Sequence, residues 1–268
     1  MIPAIRRELR DRRVSLIAYS VVGLLTLLMY MSMYPSIHES MNRFQEIYQS
    51  YPKELFKAMG IENFTISTTE GYLAVEYFSI ILPILTIFFA VSRAGTAIAG
   101  EVEKGVMSFY LMLPISRSRL FLAKYTSFLI SLAVFSLVAV MSIIPLAVLL
   151  GSDVGSAKVL HVTGVTFLFA WAIYAFSMWL SALFSERSKV YMIAGGVILI
   201  MYILQIAAGL KQGLAWLNNY SIFHYYYAQD ILNKNTYSLK SVLVFLVSIT
   251  LFSTLGWLIF RRRDIASS

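Results

Sequence analysis

The chain contains no cysteine. That excludes a disulfide framework, a thiolate metal site and a cysteine nucleophile. Charge is scarce as well: only 13% of the 268 residues are Asp, Glu, Lys or Arg, and 59% are hydrophobic. Soluble domains carry about 25% charged and about 45–50% apolar residues. So little charge cannot clothe a water-facing surface of this size, and the mean hydropathy of +0.72 points the same way. The class implied is an integral membrane protein, with the lipid bilayer as its solvent. His161 and His224 have no second histidine or carboxylate at ligand spacing, so no metal is expected. The net charge of +8 would suggest nucleic acid only if the basic residues clustered on a soluble face. Here they stand at the ends of apolar runs, so no nucleic-acid partner is expected.

Six apolar runs are present, at 14–34, 73–92, 125–152, 159–185, 190–210 and 241–260. Crossing the hydrocarbon core takes about 20 apolar residues. Strands of a membrane barrel would be about ten residues long and alternating, and these runs are neither. The expectation is one all-α transmembrane domain over 1–268. The first run is too long for a cleavable signal peptide, and no small-residue cleavage site follows it. Orientation follows from Lys and Arg. With the N-terminus inside and the spans alternating, fifteen of the 22 basic residues fall inside and seven outside. Both termini are therefore expected in the cytoplasm, with the chain in the cell membrane.

Between the second and third runs lies a charged interruption, "AGEVEKGVMSFYLMLPISRSRL", Ala99 to Leu120. Gly100 to Gly105 has the glycine spacing of a phosphate-binding P-loop. That motif needs Lys and Ser/Thr next, and the chain offers Val106 and Met107, so no nucleotide site is expected here. Wound as a helix at about 100° per residue, Ile98, Val102, Val106, Phe109 and Leu113 fall on one face. Glu101 and Lys104 fall on the other, three residues apart. The reading is an amphipathic cytoplasmic helix ended by Pro114, which cannot continue the backbone ladder. Gly105, inside that helix, suggests a close backbone approach. The N-terminal "AIRRELRDRRVSLIAY" reads as a basic amphipathic helix at the headgroup boundary, or simply as a positive-inside flag. In the first outer loop Leu55, Phe56 and Met59 line one face of a short helix, with Gly60 as its stop. The last outer loop carries Trp216, Tyr220, Tyr225, Tyr226 and Tyr227, residues suited to a membrane–water interface.

The segment "GEVEKGVMSFYLMLPISRSRLFLAK", Gly100 to Lys124, resembles type-2 ABC transporter permeases. It has an acidic residue, Lys-Gly, a short apolar stretch, Leu-Pro-Ile-Ser-Arg and a Lys opening the next span. The six-span plan, the basic N-terminal helix, "YPKELFKAMG" and "YSIFHYYY" extend the resemblance over nearly the whole chain. Ile222 departs from it, where family members often have proline. The resemblance implies a type V exporter-like permease, with six helices in each of two membrane halves. The second half would be another copy or a related chain. It implies a separate ABC ATPase, two copies per complex, that binds ATP and Mg²⁺; this chain would bind no cofactor. It implies that Glu101, Lys104, Gly105, Pro114, Ser116 and Arg117 form the coupling helix and its turn, seated on the ATPase. The alternative for Glu101 and Lys104 is a solvated pair.

The spans hold few polar groups. Glu76 near the outer end of span 2 is an ionisable pathway candidate, or it simply reaches water. Gln205 at mid-span 5 lines a pathway or bonds a neighbouring helix. Gly195 and Gly196 permit close packing at a bundle or dimer interface. No span has the Ser/His or Asp/Asp pair of an intramembrane protease, so no enzyme is expected. The expected function is outward transport of an amphipathic, lipid-like, peptide or antibiotic substrate. The alternatives are Na⁺ efflux, with Glu76 as the acid, or a membrane scaffold or channel.

Overall fold

Each apolar run folds into a long helix, because a backbone without water must satisfy its own hydrogen bonds. The structure, a computed structural model, describes residues 2–39, 68–112, 114–236 and 238–264. Six helices are long and apolar enough to span a bilayer: Arg13–His38, Thr69–Ala97, Arg117–Leu149, Ser156–Leu183, Arg187–Leu210 and Leu239–Arg262. These are spans 1 to 6. No strand occurs among the described residues. A short N-terminal helix, Ile2–Asp11, precedes span 1. The segment around Leu55, Phe56, Met59 and Gly60 lies outside the described residues.

Both ends of the described chain, at Ile2 and Asp264, lie at one end of the bundle, here the basic end. Arg263, just after span 6, donates to the carbonyls of Ala182 (2.7 Å) and Phe184 (2.9 Å) at the end of span 4. Arg12, just before span 1, donates to the carbonyl of Thr96 at the end of span 2 (2.8 Å). At the far end Glu70 pairs with Lys158 and accepts the Gly155 N–H at 2.8 Å, joining spans 2 and 4.

Two spans are broken internally by π-turns, Tyr77–Ile81 in span 2 and Leu137–Met141 in span 3. Each stands just before a proline, Pro83 and Pro145. Proline lacks an N–H and its ring clashes with the carbonyl four residues back. Those carbonyls belong to Ser79 and Met141, inside the two π-turns, where the ladder opens by one residue. The buried Tyr77 hydroxyl donates to the freed region, reaching the Ala139 carbonyl (2.9 Å) and the Gly23 carbonyl of span 1 (3.2 Å).

Span 4 is the core of the bundle: 61% of its most apolar window is buried, against 17% in spans 5 and 6. Span 6 packs closely on span 4 because Gly256 has no side chain. A Cβ there would stand 3.2 Å from the Trp179 Cα. Spans 2, 3 and 4 share an aromatic column, with Phe89 5.3 Å from Phe128 and Phe128 stacked 3.8 Å from Tyr174. Gly195 and Gly196 serve no such contact inside the bundle, since a Cβ on either meets nothing within 4 Å.

Candidate functional site at the basic end

The charged interruption is an elbow of two helices, Ala99–Glu103 and Val106–Met112. The continuous amphipathic helix expected from the sequence does not form. Lys104 ends the first helix, and Gly105 follows in the left-handed region at φ +68°. Its N–H donates to the Val102 carbonyl at 2.9 Å, the glycine-terminated helix stop. Gly105 is therefore there for its backbone conformation and not for a close approach: a Cβ would meet nothing within 4 Å.

The break resets the helical phase. Ile98 is buried and Val102 packs on the core as expected. After the break Met107, Tyr110 and Leu111 face inward instead. Val106 and Phe109, expected on the inner face, point outward, and Phe109 and Met112 are 70% and 78% exposed. Val106, Phe109 and Met112, three residues apart on the second helix, form an apolar ridge on the outside of the elbow, and Ile115 is exposed in the turn beyond. Leu113 lies outside the described residues.

Glu101 does not stand on an exposed polar face with Lys104. It turns under the elbow and meets Lys124, whose side chain is 1% exposed. The Lys124 ammonium donates to Glu101 Oε1 and to Glu8 Oε1, both at 2.6 Å, and lies 5.0 Å from the Tyr110 ring. An ammonium has three donors and no acceptor, so two carboxylates and a π face surround it. Arg12 closes the cluster, 3.4 Å from Glu8 Oε2 and 3.6 Å from Glu101 Oε1. Arg93, also buried, reaches the Arg12 carbonyl at 3.5 Å. Lys124 therefore sits inside span 3, which starts at Arg117, rather than opening the span. A lysine at that depth is held there because both acids come to it.

The two carboxylates are not equivalent. Burial pushes Glu101 above the usual carboxylate range, and the attraction of Lys124 does not offset it. Its Oε2 has no hydrogen-bond partner among the described residues, and the Glu8 charge opposes it. Burial also pushes Glu8 upward, but Lys124, Arg12 and Arg93 together outweigh it and hold Glu8 below the usual range. The signs of the linkage are opposite. Glu8 contributes stability above its unfolded pKa, and this is lost as pH falls through its lower folded value. Glu101 opposes folding while charged, and that penalty is relieved as pH falls through its raised value. Glu8→Gln is therefore expected to destabilise the protein at neutral pH more than Glu101→Gln. It should also remove the loss of stability below the carboxylate range. Thermal unfolding of both variants in detergent, from neutral to acid pH, checks this; equal losses in the two would contradict it.

The elbow touches almost every span. Ser181 of span 4 accepts the N–H groups of Ile98 (3.3 Å) and Ala99 (3.0 Å), satisfying orphan donors at the start of the first elbow helix. Glu103 accepts the Arg187 N–H at the start of span 5 (3.0 Å). With Arg12 before span 1, Ile98 after span 2 and Lys124 in span 3, one short segment is tied to spans 1 to 5.

The other expected site residues are dispersed. Lys104 is exposed and in no ion pair among the described residues, and Pro114 is exposed in the turn. Ser116 caps span 3, its hydroxyl accepting the Arg119 N–H at 3.4 Å. Arg117 donates to the Arg263 carbonyl and so ties span 3 to the end of span 6. Glu76 is half-buried at the end of a helical segment, far along span 2 from the elbow, with no ion pair among the described residues. Gln205 in span 5 has a buried Oε1 without a hydrogen-bond partner among the described residues. Neither lines the apolar groove of about 620 Å³ that runs between Pro83 and Ile87 of span 2 and Gly195 and Leu199 of span 5. Glu8, Arg12 and Arg93 escaped the sequence reading, which counted the arginines only as charge. The available signal was the Glu8–Arg12 spacing of one helical turn.

A family model described as ABC-2 family transporter protein matches residues 2–265. The chain belongs to the ABC-2 transporter family. The match runs from the N-terminal helix beyond span 6, so the elbow and the charge cluster are both inside it. A search of curated proteins gives no significant match. The chain is thus an ABC-2 permease, a multi-pass membrane transport subunit. Such permeases normally work with an ABC ATPase and are generally not catalytic themselves.

Proposed function

We propose that this ABC-2 permease is the membrane half of an exporter and that the elbow, Ala99 to Met112, couples it to a separate ATPase. One observation carries the reading. A segment outside the spans, with an exposed apolar ridge, is tied by buried ion pairs and hydrogen bonds to spans 1 to 5. A partner that grips the ridge moves those spans together, because packed elements shift as units rather than bending.

The orientation that fits places the basic end, with both termini, in the cytoplasm of the cell membrane. Glu101 acts in this scheme as an inner strut and not as a surface contact. Lys104, Pro114 and the ridge residues are the ones left to touch the ATPase. ATP and Mg²⁺ belong to the two ATPase copies, and this chain holds no cofactor. A second permease, the same chain or a related one, completes the pathway. The groove between spans 2 and 5, with Gly195 unpacked on its wall, supports that pairing and a type V arrangement. Its walls are almost entirely apolar, which supports an amphipathic substrate moved outward. The polar Glu76 and Gln205 stay outside it.

Two measurements test this. The absence of cysteine makes thiol labelling clean: Thr236→Cys at the far end should react from outside the cell, and Ser188→Cys at the basic end only after permeabilisation. The reverse pattern overturns the orientation. Purified from its native membrane in mild detergent, the chain should bring a Walker-type ATPase with it, two permeases to two ATPases by mass. Recovery without an ATPase overturns the coupling reading, and recovery of a single permease per complex overturns the pairing.

A further inference from the structure

Spans 5 and 6 each pack on span 4 but hardly touch each other. The gap between them is a cleft of about 200 Å³, floored by Ala172, Ile173 and Phe176 of span 4. Met201 of span 5 and Phe252 of span 6 stand on its walls. At the far end the turn carrying Asn219 and Tyr220 closes it. A shallow recess along span 6 continues it outward past Val244 and Ser248, which belong to both, to Leu239 and Lys240.

The lining is mostly apolar, and the mouth of the recess is cationic. Lys240 is exposed and stands 5.8 Å from the centre of the Tyr225 ring. The nearby Lys234 is taken by Asp230 at 3.1 Å. Lys240 is in no ion pair among the described residues. Trp216 and Tyr220 at the same end are 57% and 64% exposed. Exposed Trp and Tyr mark headgroup depth, so Lys240 stands at the level of lipid phosphates. The residues from Lys240 to Phe252 rise about 18 Å. That is slightly more than one leaflet of a hydrocarbon core about 30 Å thick. The cleft and the recess together thus have the length of one acyl chain, with a cation where the headgroup of that chain lies.

We infer that this cleft is a binding site for an anionic glycerophospholipid of the far leaflet, one acyl chain lying between spans 5 and 6 and the phosphate at Lys240. The floor is packed, with Ala172 and Ile173 buried, whereas Met201, Val244, Ser248 and Phe252 on the walls stay part-exposed and can be covered by an acyl chain from the bilayer. The site is separate from the groove between spans 2 and 5, and it does not depend on the coupling reading. Bound there, a lipid wedges span 5 from span 6 and replaces the helix–helix contact that those spans lack.

The test is native mass spectrometry of the full permease in mild detergent with phosphatidylglycerol or phosphatidylcholine. The expected result is preferential retention of one phosphatidylglycerol. Lys240→Glu, at an exposed position, should lower the phosphatidylglycerol-to-phosphatidylcholine ratio about fivefold or more, the effect of a juxtamembrane charge. Ser248→Phe, which fills the cleft, should lose both lipids. Equal retention of the two lipids by the unaltered chain means a nonspecific annulus and overturns the inference. So does an unchanged ratio in Lys240→Glu, whatever Ser248→Phe does. Exclusion of both lipids by a second copy of the chain seated on this face overturns it too.

Discussion

Replacing Lys124 by methionine is expected to lower the unfolding temperature in detergent by roughly 6–20 °C, or to abolish recovery of folded protein. The substitution removes the ammonium that two part-buried carboxylates share at 2.6 Å each. Breaking a buried pair from one side costs about 3–5 kcal/mol; Arg12, 3.4 Å from Glu8 and 3.6 Å from Glu101, stays behind and compensates the acids only in part. In a protein of this size each kcal/mol lowers the unfolding temperature by about 2–4 °C. Methionine keeps the stem that packs within the cluster, so the loss reports charge and not volume. The companion experiment separates the pair from the position. The triple variant Glu8→Gln, Glu101→Gln, Lys124→Met leaves no charge stranded on the three groups and should regain most of the loss. Buried ion pairs replaced as a set are often neutral or stabilising. A single variant that melts like the unaltered protein would show that the cluster does not hold the elbow to span 3.

Phe109→Asp and Met112→Asp are expected to leave the permease folded and to release the ATPase. Both side chains are more than two-thirds exposed, so neither change disturbs the core. Apolar side chains that anchor an interface contribute about 2 kcal/mol or more each, so affinity should fall about thirtyfold or further. The readouts are co-purification with the ATPase and permease-stimulated ATP hydrolysis, against an unchanged melting curve. Met107→Asp is the contrast: Met107 is fully buried, and its change should unfold the elbow itself. If the ridge variants bind and stimulate normally, the ATPase docks elsewhere. Lys104→Glu should weaken binding less, since a rim charge acts mainly on association rate and its salt dependence.

Six apolar runs of about 20 residues in a chain with 13% charge admit only a helical membrane bundle. That much was legible without coordinates, as was the elbow's position between spans 2 and 3. The break at Gly105 was written in the sequence too, as a glycine after a short polar helix. Treating Gly105 as an interior residue put Val106 and Phe109 on the wrong face. Pro83 and Pro145 likewise announced the π-turns. The partners of Glu101 were not legible. Its neighbour three residues on, Lys104, is a local candidate, whereas Lys124 comes from span 3 and Arg12 from the junction of the N-terminal helix and span 1. A sequence pattern reports which residues share a helix face, because that follows from a fixed turn per residue. Which helices meet, and which charges are desolvated together, depends on packing across the whole bundle. The sequence by itself therefore determined the spans, their number and the charged interruption. Only the tertiary structure decided that Glu101 pairs with Lys124 beneath the elbow, that the exposed ridge is apolar, and that spans 5 and 6 leave a cleft. Those three depend on contacts among residues far apart in the chain, and no local periodicity encodes them.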